Sequence, residues 1–307
     1  MEKKVKTRKK PIRKTRVAFI LFAVTLPIGW WFVEYVYGNF SSFLMAFHDM
    51  NGNWTLQNFE RFFKEFTTPG TEIFIAFKNT FITFGITVIM FPINVLVSYF
   101  IYKKIPGAMI YRVLFFLPGI LFSVCTAMMF SRVIGVNGFI AKGVAEWLNL
   151  DYVPELLTEA RFANKVVLLH MVWLGFPGNL IIWGGTFARI PVELLEAGTI
   201  DGTTWWTEFT KITVPMVWPM VALNMVLMGC GIFGASGAVF LLTRGGYGTM
   251  TLSAWQYIQL LDGAGGAGTS NVYNYMSAVG LCLSIVALIL SFTIRHITDK
   301  VFNDVEF

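Results

Sequence analysis

The side chains that most often do chemistry are few in this chain and poorly placed for it. His48, His170 and His296 lie far apart and at no metal-ligand spacing. Cys125, Cys230 and Cys282 each fall inside an apolar stretch, so they read as small buried hydrophobes and not as a disulfide framework or a metal set. No G-x-x-x-x-G-K-[ST] loop is present to cradle phosphate. No catalytic residue, metal ligand or bound cofactor is therefore expected on the chain. What stands out is a group of acids, Glu193, Glu196, Asp201 and Glu208, set against only Arg189 and Lys211. A loop meant for anionic lipid would be basic. An acidic loop studded with aromatics suits a protein groove lined with basic residues.

These acids sit in residues 190–219, a polar segment between two long apolar runs. Its spacing predicts a helix, a sharp turn and a second helix. Pro191 suits the first helical position, where a missing N–H costs nothing. Residues 192–201 contain no breaker except Gly198, and Gly202 is the residue expected just past a helix C-terminus. Thr203 or Thr204 can cap the next helix, which carries Trp205, Phe209 and Ile212 at helical spacing. The first helix is too short to stand alone in water, so tertiary packing or a partner must hold it.

The rest of the chain supplies that frame. Of its 307 residues, 55% are hydrophobic and only 14% charged, and apolar runs of about 20 residues recur, the mark of an integral membrane chain. Residues 1–16 hold nine Lys or Arg against the single Glu2. That tail accounts for most of the net charge and marks an end kept on the cytoplasmic side. It lacks the interleaved aromatics of an RNA-binding arm, and no nucleic-acid partner is expected.

Six spans follow from the apolar runs, at 17–37, 74–102, 112–134, 166–187, 214–242 and 275–294, with both termini cytoplasmic. The segments then placed in the cytoplasm hold sixteen of the twenty-four Lys and Arg. The expected fold is all-α, one membrane domain over 17–307 behind a basic tail at 1–16. Residues 38–72 are a mixed polar and aromatic stretch that reads as an interfacial helix with Phe59, Phe62, Phe63 and Phe66 against lipid. Asn79 is a candidate helix–helix hydrogen-bond partner, and Pro92 a candidate kink. Residues 263–270 are Gly-rich and read as a loop.

The phrase E-A-G-x-x-D-G, followed by aromatics, I-T-x-P and a second Pro, resembles the coupling loop of membrane subunits of binding-protein-dependent bacterial ABC importers. The match falls on Glu196, Ala197, Gly198, Asp201 and Gly202, then Trp205, Phe209, Ile212, Pro215 and Pro219. Gly198 departs from the family's usual Ala. The phrases W-T-L-x-N-F from Trp54, R-V-L-F-F-L-P-G-I from Arg112 and L-T-R-G-G-Y from Leu242 resemble the carbohydrate (maltose-type) branch, although Tyr247 stands where the family has Pro. The resemblance implies a MetI-like permease fold of six helices with a cytoplasmic coupling helix. It also implies partners: a second permease subunit, two cytoplasmic ATPase subunits that bind ATP and Mg, and an extracytoplasmic solute-binding protein. The location implied is the bacterial cytoplasmic membrane.

The spans contain almost no ionisable group; His170 and Lys78 are the nearest cases. An ion-coupled carrier would place acids or bases near the midplane. Neutral candidates remain for a solute path: Ser123, Thr126, Asn224, Phe233, Ser236, Asn274 and Tyr275. On a continuous fifth span Asn224 and Phe233 face opposite sides, while Phe233 and Ser236, three apart, share one. Aromatic faces with neutral hydrogen-bonders suit an uncharged sugar, in particular an oligosaccharide. The competing readings are an importer for another solute, such as glycerol phosphate or a peptide, and an ion-coupled secondary carrier. A phosphorylated solute would call for bases in the path, and none is there.

Overall fold

A backbone that crosses a bilayer must satisfy its own hydrogen bonds, and the apolar runs do so as helices. A computed structural model describes residues 14–234, 237–263 and 269–301. Helix α1 (Lys14–Trp31) continues through a π-helical turn, Phe32–Tyr37, into α2 (Gly38–Ala46). After α3 (Gln57–Thr67) comes the long α4 (Glu72–Tyr102), which carries Pro92 without interruption. Next are α5 (Ala108–Ile120), α6 (Ser123–Ile134), α7 (Phe139–Trp147) and the long α8 (Ala160–Phe187). Helices α9 (Val192–Ile200) and α10 (Trp205–Glu208) lead, through a π-helical stretch at Phe209–Thr213, into α11 (Val214–Cys230). The chain closes with α12 (Gly237–Thr243), α13 (Leu252–Gly263) and α14 (Thr269–Val301).

The protein is an all-α, multi-pass membrane protein. Among the described residues four helical stretches are long and apolar enough to cross a bilayer, namely Glu72–Tyr102, Ala160–Phe187, Trp205–Cys230 and Asn271–Val301. Counted as one broken span, the bent pair α5 and α6 makes a fifth; a sixth would have to come from the apolar first helix, α1. The basic tail at 1–13 and most of the Gly-rich loop, 264–268, lie outside the described residues.

Three expectations change. The third span is not straight: Leu121 and Phe122 are extended, and α5 and α6 meet at a 109° bend. The fifth span does not run on to residue 242. It ends at Cys230, and Gly231, Ile232 and Phe233 form a turn before α12 starts at Gly237. Non-helical backbone at membrane depth is tolerated only where protein buries it or water reaches it. The short helices after the breaks, α6 and α12, pack on each other. Third, only Phe63 of the α3 phenylalanines is well exposed. Phe62 and Phe66 join a core with Ile73, Trp255 and Tyr275, and Phe59 stacks near Phe47. The apolar face of α3 therefore packs across the ends of α4 and α14, where Glu65 ties the helices by accepting from the Tyr275 hydroxyl at 2.6 Å.

Asn79 works harder than a simple interhelical bond requires. Its Nδ2 donates to the carbonyls of Gly248 and Met250, at 2.7 and 2.9 Å, and its Oδ1 accepts from Asn164 of α8. Thr80 next to it accepts from the Leu252 amide. The turn thus pinned is left-handed at Arg244, Gly245, Tyr247 and Gly248. Tyr247 has φ +54°. Proline's ring fixes φ near −65°, so the family's usual Pro cannot sit in this turn as it stands.

Candidate functional site

The 190–219 segment forms the helix–turn–helix its spacing predicts, and its turn can be accounted for bond by bond. Helix α9 ends in a Schellman motif: Gly202 has φ +71°, its amide donates to the Thr199 carbonyl, and the Thr203 amide donates to that of Gly198. The Thr203 hydroxyl adds a second bond to the same Gly198 carbonyl at 2.8 Å. Thr204, the second of the two candidates, is the N-cap of α10 and accepts from the Thr207 amide. Pro191 sits one position earlier than expected, at the N-cap of α9.

Gly198 is the buried residue of α9, and a Cβ added there would lie 2.9 Å from the Ile212 Cδ1 and 3.2 Å from the Thr203 Oγ1. Gly198 therefore leaves room for the Ile212 side chain of the following π-helical stretch. Leu195, Ile190 and Phe209 reach into a core with Tyr99 of α4, Trp183 and Phe187 of α8, and Val217 and Val221 of α11. The opposite side of the segment is open. Glu196, Ala197, Asp201 and Gly202 are exposed, as are Glu193, Val192, Ile200 and Trp206. Three of the four acids thus face outward. Glu208 does not: it is buried, paired with Lys103 at 2.6 Å.

The residues nominated for a solute path are not brought together. Asn224 of α11 lines a cavity of about 330 Å³ walled by α4, α8 and α11. The cavity draws on the second span, which the sequence reading had not included. Thr83, Thr87 and Asn94 of α4 share it with Met171 and Gly175 of α8. Asn94 is buried, and its Oδ1 has no protein partner among the described residues. These three side chains were missed, yet spacings of four and seven put them on one face of an apolar helix, a signal present in the sequence.

The other nominees lie elsewhere. Ser123 is exposed at the α5–α6 break, and Thr126 behind it is buried. Phe233 is not helical and packs on the core around Trp255 and Tyr275. The helix stops at Cys230, before Phe233, and Ser236, its expected partner on one helix face, lies outside the described residues. Tyr275 is buried against Glu65 and Arg61, whose guanidinium lies 4.1 Å from its ring centre. Asn274 donates to the Asp49 carbonyl.

The cysteines and histidines are also placed. Cys125 and Cys230 are exposed on their helices, contrary to expectation, and Cys282 is half-buried; all three are free thiols. Bilayer-facing positions accept a small apolar side chain as readily as a core does. His170 is fully buried between Phe130 and Trp173, and His48 packs on Trp54 with its Nδ1 on the Leu44 carbonyl.

A helical membrane protein with broken spans, a neutral cavity between helices and an exposed helix–turn–helix has the form of a transport subunit. Residues 101–303 match the family described as the binding-protein-dependent transport system inner membrane component, and the chain belongs to that family. It is 28% identical over 248 residues to the maltose/maltodextrin transport system permease protein MalF of Vibrio parahaemolyticus, a match covering 76% of this chain and 46% of that one. The maltodextrin permease protein MdxF of Bacillus subtilis gives 28% identity over 61% of this chain and 45% of its own. The chain thus spans about half the length of these curated relatives. The multiple sugar-binding transport system permease protein MsmF of Streptococcus mutans is matched nearly end to end, at 25% identity over 86% of this chain and 92% of that one. In fold the chain is similar to the structure of a bacterial ABC transporter involved in the import of the acidic polysaccharide alginate. The TM-score is 0.77 at 21% identity, over 94% of this chain and 98% of the other.

Proposed function

We propose that this chain is the translocating subunit of an importer that carries an oligosaccharide into the cytoplasm, with ATP hydrolysed on a separate subunit. The observation that carries the reading is the 190–219 segment. Its motif residues Glu196 and Asp201 face outward from a turn fixed by backbone bonds and anchored in a core. An exposed rigid acidic surface beside Ile200 and Trp206 suits a groove on another protein that carries basic residues. The partners on this reading are two cytoplasmic ATPase subunits that hold ATP and Mg, a second permease subunit and a solute-binding protein. The chain itself holds no cofactor. Both termini face the cytoplasm of a bacterial cell, as the charge distribution suggests.

Carbohydrate as substrate is supported by the maltodextrin and multiple-sugar systems to which the relatives belong and by the neutral cavity. Asn94, Asn224, Thr83 and Thr87 offer donors and acceptors without charge, and a buried acceptor such as Asn94 Oδ1 favours a ligand hydroxyl. The test is Glu196→Lys in cells expressing the whole system. The chain should remain in the membrane while ATP-driven uptake is lost and the ATPase no longer co-purifies. Survival of both uptake and co-purification would sink the assignment of this surface.

A further inference from the structure

One acid of the segment is turned inward, and its partners lie on neither of the helices that flank it. Glu208 is 6% exposed, receives Lys103 Nζ at 2.6 Å on Oε1, and accepts from the Tyr99 hydroxyl at 3.1 Å. Both partners belong to the end of α4. The rings repeat the choice: Tyr99 meets Phe209 at 5.0 Å and Phe100 meets Trp205 at 5.2 Å between centroids. Apolar packing alone lets two helices slide, whereas a buried carboxylate held by an ammonium and by a hydroxyl has one register. Helix α4 is unbroken from Glu72 to Tyr102, while α5–α6 and α11–α12 are interrupted. Thr83, Thr87 and Asn94 on this same helix line the cavity. Asn94 lies nine residues before Lys103, about 13 Å along a helix.

We propose that Glu208, Lys103 and Tyr99 form a latch through which the 190–219 segment moves α4. Helix α4 then acts as the rod that carries that movement to the cavity wall. The three are positioning residues: none touches solute or nucleotide. The inference rests on the reading of this segment as the docking site of an ATPase.

The test uses the complete complex in vesicles, with uptake of radiolabelled maltotriose and ATP hydrolysis measured together. Glu208→Gln and Lys103→Met should each lower sugar delivered per ATP about tenfold, with the ATPase still co-purifying. Tyr99→Phe should lower it about threefold. The exchange Glu208→Lys with Lys103→Glu should recover at least half of the wild-type ratio. A fall of uptake and hydrolysis in proportion, with the ratio unchanged, overturns the latch and leaves these residues as packing. If the single variants fail to assemble, the exchange decides. A coupled complex supports the pair, and one that assembles without coupling, or does not assemble, overturns it. A wild-type chain that neither retains an ATPase nor transports refutes the underlying reading instead, before any variant is compared.

Discussion

The two glycines of the E-A-G-T-I-D-G phrase should respond in opposite directions to the same substitution. Gly202 has φ +71°. A left-handed conformation costs an L-residue about 1–2 kcal/mol, so Gly202→Ala should open the turn about 5–30 times more often. Gly198 is helical, and alanine there gains about 1 kcal/mol of helix propensity. Its new Cβ would meet the Ile212 Cδ1 at 2.9 Å and the Thr203 Oγ1 at 3.2 Å, the first of which is the free end of a flexible side chain. A shift of a few tenths of an ångström accommodates it, and Gly198→Ala should leave the turn as closed as before or more so. Hydrogen–deuterium exchange of the peptide spanning 198–205, in the purified protein, reads both effects through the Gly202 and Thr203 amides. Gly202→Asn should fall between, since Asn tolerates the left-handed region. Faster exchange in Gly198→Ala with none in Gly202→Ala would refute the Schellman account of the turn.

Further outcomes follow from the frame. Asn79→Ala strands the Gly248 and Met250 carbonyls and the Asn164 amide, so it should cost about 1–3 kcal/mol per group left unpaired and visibly lower the thermal midpoint in detergent. Asn224→Leu should weaken uptake while sparing assembly, whereas Phe233→Ala, acting on a packed core, should impair assembly; the reverse pattern would move Phe233 into the path. Cysteines placed one at a time in 1–16 should resist an impermeant thiol reagent in intact cells, and those in 263–270 should react. Labelling of the tail from outside would overturn the proposed orientation.

Local signals were read well because local chemistry decides them. Gly202 past a helix end and Thr204 before the next fix the turn with atoms a few residues apart. The apolar runs likewise announce helices before anything is known of their neighbours. The breaks at 121–122 and from residue 231 were not foreseen, because Pro118 and the glycines around Gly231 permit an interruption without requiring one. Elsewhere Pro92 and Pro219 ride inside continuous helices. Glu208 was counted with the surface acids, since nothing in its vicinity reveals a partner more than one hundred residues earlier. The Thr83, Thr87, Asn94 face was legible in principle; hydrogen-bonding residues in an apolar helix simply read as packing until a cavity stands beside them.

The turn after α12 bears on how such chains can be recombined. Its four left-handed residues, the Thr243–Thr249 hydroxyl contact at 2.5 Å and the clasp from Asn79 depend on one another. A graft that brings in only the family's usual proline at position 247 brings a ring that the backbone there cannot accept. Residues 243–250 must therefore travel as a block, together with a residue at 79 able to donate twice. In a chimera this stretch behaves as a cassette whose seams lie at both ends of the turn and on a helix far away in sequence.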